Sequence, residues 1–201
     1  MKHIIVEGGD RLGKSTVIEG IAKHFNYDNV MIRHFGKPPK EFPEEDSPLS
    51  FQAECFHKEG YLLDAINQME NDVYNYYENI VIWNRSHLGE FVYGQMFRKI
   101  DPAQIEFMIK NFEEKFLLEN PETYLILLTA DPEFFLSKED GNSFSQNIEQ
   151  KTTELKLFDE IFEKSLIDNK LKVKVNFTEN FFYSKDYILS QVLDFLSRIK
   201  I

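Results

Sequence analysis

Near the start of the chain, residues 3 to 16 read His-Ile-Ile-Val-Glu-Gly-Gly-Asp-Arg-Leu-Gly-Lys-Ser-Thr. From Gly8 to Ser15 the pattern is Gly-x-x-x-x-Gly-Lys-Ser, the spacing of a loop that wraps nucleotide phosphates. Gly8 and Gly13 let the backbone take positive φ and come close to a polyphosphate, so that successive N–H groups point inward. Lys14 supplies a mobile charge near the β- and γ-phosphates, and the Ser15 hydroxyl is the expected Mg²⁺ ligand. Gly8, Gly9, Asp10, Arg11, Leu12, Gly13, Lys14, Ser15 and Thr16 are therefore the candidate nucleotide-binding residues. An apolar run, His3 to Glu7, precedes the loop. Val17-Ile18, Ile21-Ala22 and Phe25 recur at helical spacing after it, giving the strand-loop-helix setting the motif requires. Phosphoryl transfer is the chemistry this predicts.

A second cationic position lies at Asn84-Arg85-Ser86, directly after the apolar run Ile80-Val81-Ile82-Trp83. A guanidinium at a strand end is shaped to clamp a phosphate at two points, and a structural ion pair is its other use. The segment His87 to Gln95 reads as a helix whose face at 86, 89, 90 and 93 turns toward the same cleft; Tyr93 there serves equally as a core aromatic.

These residues need a scaffold, and five apolar segments supply one: 3–7, 29–34, 79–84, 122–129 and 171–177. Runs such as 80–83 and 124–128 are apolar throughout, as strands buried on both faces are, so a parallel sheet with helices on both sides is expected. Helices are expected at 14–26, 50–76, 87–99, 102–118, 132–137, 144–168 and 184–199, with Asp101-Pro102 and Asp131-Pro132 reading as capped starts. The fold class is thus α/β: three layers, α/β/α, around a five-stranded parallel sheet, in one domain over 1–201 with a short lid near 137–145. In such a sheet the chemistry lies at the carboxyl ends of the strands. Phe35-Gly36-Lys37, Asn84-Arg85 and Ala130-Asp131-Pro132 fall there, as does the phosphate loop.

The chain has 201 residues, 42% hydrophobic and 28% charged, ordinary values for a globular protein. The net charge of −11 argues against nucleic acid or an anionic membrane as partner, since both are held by basic surface. No stretch approaches the apolar length of a membrane span, and no leader pattern is evident, so a cytoplasmic location is expected. The single cysteine, Cys55, forms neither an internal disulfide nor a thiolate cluster and reads as a small helix-face hydrophobe. A proline-rich, charged stretch from Gly36 to Pro48 reads as a loop.

Glu7-Gly8-x-Asp10-Arg11-x-Gly13-Lys14-Ser15-Thr16, with Arg85 after a buried strand and Tyr93 eight residues on, resembles the thymidylate kinase family of nucleoside monophosphate kinases. The resemblance implies transfer of the γ-phosphoryl of ATP to dTMP with Mg²⁺. It implies that Asp10 lies by the acceptor sugar, that Arg85 bridges acceptor and donor phosphates, and that Phe35 and Tyr93 line the acceptor pocket. Members of that family carry a catalytic arginine either in the phosphate loop or in the lid. This chain has Arg11 in the loop and no arginine in Ser137-Lys138-Glu139-Asp140-Gly141-Asn142-Ser143-Phe144, so Asp10, Arg11, Lys14 and Arg85 are the catalytic candidates. Two departures stand out. The family's Asp-Arg-Tyr is Asn84-Arg85-Ser86 here, closer to the Glu-Arg-Ser of deoxynucleoside kinases, and an amide replaces the carboxylate expected to hold Mg²⁺ through water. Phe51 to Ile66 also lacks the arginine commonly directed at the base, leaving Gln52, Glu54, His57 and Lys58 as loose candidates. A homodimer through helix faces such as 50–69 and 87–97 is a further implication.

A phosphate acceptor needs no strong general base, whereas a 5′-hydroxyl gains from a carboxylate within reach. Glu41, Glu44 and Glu45 fall in the proline-rich loop and are expected to face solvent, which favours a monophosphate acceptor over a nucleoside. A nucleotide-binding switch is the alternative outside enzymes, and the lack of an evident water-positioning glutamine weighs against it. The five histidines show no metal-ligand spacing. Charged runs such as Glu113-Glu114-Lys115 are expected on solvated helix faces rather than in sites.

Overall fold

The computed structural model describes residues 2–35, 47–73, 80–118, 122–176 and 185–197. Five strands, β1 (Lys2–Gly8), β2 (Val30–His34), β3 (Ile80–Asn84), β4 (Thr123–Thr129) and β5 (Asn169–Lys174), form one all-parallel sheet in the order β2-β3-β1-β4-β5. The helices are α1 (Lys14–His24), α2 (Pro48–Val73), α3 (Leu88–Arg98), α4 (Pro102–Phe116), α5 (Pro132–Ser137), α6 (Ile148–Lys164) and α7 (Lys185–Leu196).

Alternation along the strands divides the core in two. Ile4 and Val6 of β1, Ile80 and Ile82 of β3, and Ile126 and Leu128 of β4 pack against α1, α5 and α7. Their neighbours Ile5, Val81, Trp83, Leu125 and Leu127 pack against α2, α3, α4 and α6. Both faces of the sheet are therefore dry, which is why these strands carry no polar stripe. Glu7 continues the second series and is carried into that same layer, with 0% exposure.

From β1 the chain passes outward to β2, returns to β3, then crosses β1 to reach β4. The carboxyl ends of β1 and β3 thus flank the point where the winding reverses, the place where such sheets bind ligands.

Most expected elements stand within two or three residues of their predicted ends; three expectations need correction. The fifth strand runs 169–174 rather than 171–177, because Asn169 already pairs with Tyr124 and the ladder ends at Thr129–Lys174. The helix expected at 144–168 spans only 148–164, since Asn147 caps it through the Gln150 N–H (2.9 Å) and Ser165 leaves the helical conformation. Asp101 caps α4 through the Ala103 and Gln104 N–H groups. Asp131 does not cap α5: its carboxylate is drawn to Lys174 (2.6 Å) and Asn176. The turn of 3-10 helix at Tyr27–Asn29 was not foreseen. The expected loop at 36–48, with Glu41, Glu44 and Glu45, lies outside the described residues except for Ser47 and Pro48; Ser47 accepts from the Ser50 N–H (3.1 Å), and Pro48 is already the first residue of α2. No helix among the described residues is long and apolar enough to cross a membrane.

Candidate active site

The loop from Gly8 to Gly13 leaves the middle strand of the sheet and turns into α1. Gly8 has φ 131°, and a Cβ there would lie 2.3 Å from the Leu128 carbonyl oxygen, so β1 and β4 approach as closely as they do only because no side chain intervenes. Gly9 is confined in the same way, its missing Cβ falling 2.4 Å from the Phe135 ring. Gly13 takes φ 87° with open space beside it and starts α1 without a side-chain cap. The first N–H groups of α1 consequently face the loop with no internal acceptor, an arrangement suited to an anion.

The structure brings Asp10, Arg11, Gly13, Lys14, Ser15, Thr16, Asn84 and Arg85 together around a polar cavity of about 350 Å³. Lys14 is buried, and its Nζ donates to the Gly8 (2.8 Å) and Gly9 (2.7 Å) carbonyls. Burial, and after it the Arg85 guanidinium, pull the Lys14 pKa down to about 8 against the opposing charges of Asp10, Glu7 and Glu154. Arg85 reaches Asp10 through its guanidinium, and Arg11 reaches Asp140 in the segment after α5. Both arginines sit in the left-handed region, Arg11 at φ 68° and Arg85 at φ 66°. Such backbone is unfavourable for a side chain with a Cβ and persists only where the surroundings impose it.

Leu12 is buried under the loop and, with Arg11, Gly13 and Thr16, borders a second, apolar hollow of about 170 Å³ completed by Val17, Phe134, Lys138, Val175 and Ile188. Val17 follows the loop directly, whereas Phe134, Lys138, Val175 and Ile188 come from three distant stretches; of these only Lys138, within the expected lid, and Val175, just beyond a strand end, carried a sign in the sequence.

Asn84 donates through Nδ2 to His34 Nδ1 (2.9 Å), and its buried Oδ1 has no hydrogen-bond partner. The described residues contain no group of three or more His, Cys, Asp or Glu side chains able to cage a metal. What they do offer a hydrated Mg²⁺ is the Ser15 hydroxyl and the spare Asn84 oxygen, a set that fits an ion held chiefly by phosphates and water.

Phe35 leaves β2 and stacks on Trp83 (5.3 Å between ring centres). Tyr93 is core rather than surface, 3% exposed and packed on Phe144 and Phe158, with its hydroxyl donating to Glu154 Oε1 (2.8 Å). Burial and the Glu154 charge hold its pKa well above the usual phenol value. Among the candidates for a base, Gln52 is buried and bonded to Glu90 (2.6 Å) and Arg98 (2.7 Å). Glu54 and Lys58 pair at the surface, and His57 lies edge-on to Tyr61. Cys55 is half-buried on α2, where burial lifts its thiol to about 11.

One expectation fails outright. Glu113 is not on a solvated face: it is fully buried and bonded to His87 Nε2 (2.8 Å), the Ser165 hydroxyl (2.6 Å) and the Leu166 N–H (2.6 Å). A polar knot behind Arg85, made of Glu7, Glu59, Ser86, His87 and Glu113, has no local signature because its members are scattered over β1, α2, the turn between β3 and α3, and α4.

The fold is the three-layer, all-parallel α/β arrangement of P-loop kinases. No protein-family model matches the chain, and no curated protein matches it in sequence. Among solved structures it is similar to thymidylate kinase from Candida albicans, with a TM-score of 0.61 and 17% identity over 98% of this chain and 91% of that one. It is similar to the YorR protein of Bacillus subtilis, solved in complex with phosphorylated GDP (TM-score 0.59, 18% identity, 100% and 99% covered). A deoxyadenosine kinase from M. mycoides, holding the products dCMP and dCDP, gives a TM-score of 0.58 at 15% identity over 98% and 100%. At these identities the likeness establishes the fold.

Proposed function

We propose that this chain transfers the γ-phosphoryl group of ATP to a deoxynucleoside monophosphate, with dTMP the acceptor that the sequence resemblance favours. The observation that carries the reading is the pair of cations at one cavity: Lys14 from the phosphate loop and Arg85 from the end of β3 face the same space. A nucleotide-binding switch needs the first; a second phosphate gives a use to the other. The likeness to thymidylate kinase is in keeping with it, while the likeness to deoxyadenosine kinase is in keeping with a nucleoside acceptor.

In this reading the triphosphate lies along the loop amides and the amino end of α1, and the apolar hollow beside Leu12 and Phe134 takes the donor base. Lys14 leaves the Gly8 and Gly9 carbonyls for the β- and γ-phosphates. Arg11 and Arg85 exchange carboxylate partners for phosphate oxygens, and Asp10, released from Arg85, is free to hold the acceptor sugar. Positioning and charge neutralisation make up nearly all of such catalysis. Ser15 and the unpaired Asn84 oxygen are the groups that would hold Mg²⁺, which would supply positive charge to offset that of the phosphates.

A nucleoside acceptor is the second reading, favoured by the Asp10 carboxylate, the one acid lining the phosphate cavity among the described residues. It would serve there as base for a 5′-hydroxyl. ATP consumption measured in parallel with dTMP, with thymidine and without acceptor decides. Turnover only with dTMP supports the proposal, turnover with thymidine supports the second reading, and acceptor-independent hydrolysis alone sinks both.

A further inference from the structure

Immediately behind the phosphate cleft, polar side chains are buried that touch none of the phosphate-facing cavity. Ser86 Oγ is bonded to Glu59 Oε1 of α2 and lies 3.0 Å from His87 Nδ1. His87 continues to Glu113, and Glu113 to the segment that follows α6. The Ser86 N–H donates to Glu7 Oε1 at 2.7 Å. Each of Glu59, Ser86, His87, Glu113 and Glu7 is at most 7% exposed. Interiors that hold ionisable groups in this number are seldom more stable than apolar ones of equal volume, so the arrangement calls for a use other than stability.

What the cluster grips is the residue next to Arg85. On one side, β3 is fixed by its pairing with β1 and β2, and the Arg85 N–H donates to Val6 O (3.0 Å). On the other, Ser86 is pinned at its amide by Glu7 and at its hydroxyl by Glu59. Between these anchors the Arg85 backbone is forced into φ 66°, and its guanidinium is directed over the phosphate loop onto Asp10.

We infer that Glu59, acting through the Ser86 hydroxyl, is a positioning residue for phosphoryl transfer, locking the left-handed turn that aims Arg85 into the cleft. This rests on the kinase reading above. It also makes α2 and the Arg85 turn one mechanical unit.

The test uses the full chain and three substitutions, Ser86→Ala, Glu59→Leu and Glu59→Gln, with kcat and KM measured for ATP and for dTMP. Ser86→Ala and Glu59→Leu are expected to lower kcat by about 10- to 100-fold, the range of losses from small misplacements of a charged group, and to leave KM for ATP within about threefold. Their double variant is expected to be no worse than either alone, because both delete one bond. Glu59→Gln, whose carbonyl still accepts from Ser86, is expected to restore most of kcat. Wild-type kcat in Ser86→Ala overturns the inference whatever happens to thermal stability, as does a Glu59→Gln variant as damaged as Glu59→Leu, or losses that multiply in the double variant. Should Glu59→Leu fail to fold, Ser86→Ala, which removes a single hydroxyl, decides alone. An unsubstituted protein that turns over with no acceptor overturns the kinase reading and this inference with it, a result distinct from an active protein with indifferent variants.

Discussion

Glu59→Gln should stabilise the protein, and should do so more as pH rises. The Glu59 carboxyl is 5% exposed, and burial pushes its pKa from 4.5 up to about 8, the His87 charge and the Ser86 hydroxyl only partly offsetting it. In the unfolded chain it ionises near 4.5, so between these values the folded state holds a proton that the unfolded state has lost. A raised pKa contributes its full stabilisation below 4.5 and loses it as pH climbs through 8, at about 1.4 kcal/mol per pH unit. Glutamine carries no such proton. The variant should match the wild type near pH 4.5, lead by roughly 1.4 kcal/mol one unit higher, and approach about 3 kcal/mol at pH 7. Water entering the cluster on ionisation trims the last figure, so a lead of about 2 kcal/mol at pH 7 is the working expectation. Urea denaturation of both proteins at half-unit steps from pH 5 to 8 measures this directly. A difference that stays flat across the range would falsify the picture of a buried neutral acid behind Arg85.

Other consequences concern the loop and the core. Lys14→Ala should leave the circular dichroism spectrum unchanged and cut kcat by about 10²- to 10³-fold or more, as loss of one preorganised charge does; full activity would show that the loop is not the phosphate site. Arg11→Ala should cost on the order of 10³ in kcat, the low end of what an arginine finger supplies, and unchanged turnover would place that charge elsewhere. Gly8→Ala combines φ 131° with a Cβ 2.3 Å from the Leu128 carbonyl oxygen. It should lower Tm by several degrees and abolish ATP-dependent thermal protection, on a strain of about 1–3 kcal/mol. Arg98→Ala strands Glu90 in the core beside Gln52, for Arg98 is wholly buried and bonded to both. A loss of about 3–5 kcal/mol in urea denaturation is expected, and Glu90→Gln in the same chain should recover part of it.

The sheet was legible where its strands are apolar runs, as β1, β3 and β4 are; β5, Asn-Lys-Leu-Lys-Val-Lys, alternates instead, and its bounds are the ones the sequence misplaces. The strand-loop-helix order around Gly8 to Ser15 was legible because glycine, lysine and serine at fixed spacing mark such a turn. Arg85 was legible by position alone, as a cation at the end of a dry strand. What escaped notice depended on contacts between distant stretches. Glu113, within a run of mixed charge, gives no local sign that it will be buried. Its partners His87 and Ser165 lie 26 and 52 residues away, and it is they that make burial tolerable. Asp131 carried a genuine capping signature before Pro132, yet Lys174 and Asn176 at the end of β5 outbid the helix for its carboxylate. Local propensity decides where nothing tertiary competes, as for Asp101, and yields where something does.

In the proposed reading, the same logic explains how a chain of net charge −11 would hold phosphate. Its cleft does not rely on a basic surface; it keeps a few cations against acceptors of its own. Arg85 rests on Asp10, Arg11 on Asp140, and Lys14 on two loop carbonyls. These partners are a single carboxylate, an exposed acid in the segment after α5, and two neutral amide carbonyls, each carrying less charge than a polyphosphate. Phosphate binding would then be an exchange of ligands around charges whose desolvation was met on folding, not a fresh assembly of charge. The carboxylates set free, Asp10 above all, would be placed for the proposed acceptor. An acidic exterior and an anionic substrate are compatible under that arrangement, because the potential that matters is set within a few ångströms of Lys14 and Arg85, where both side chains are largely out of water.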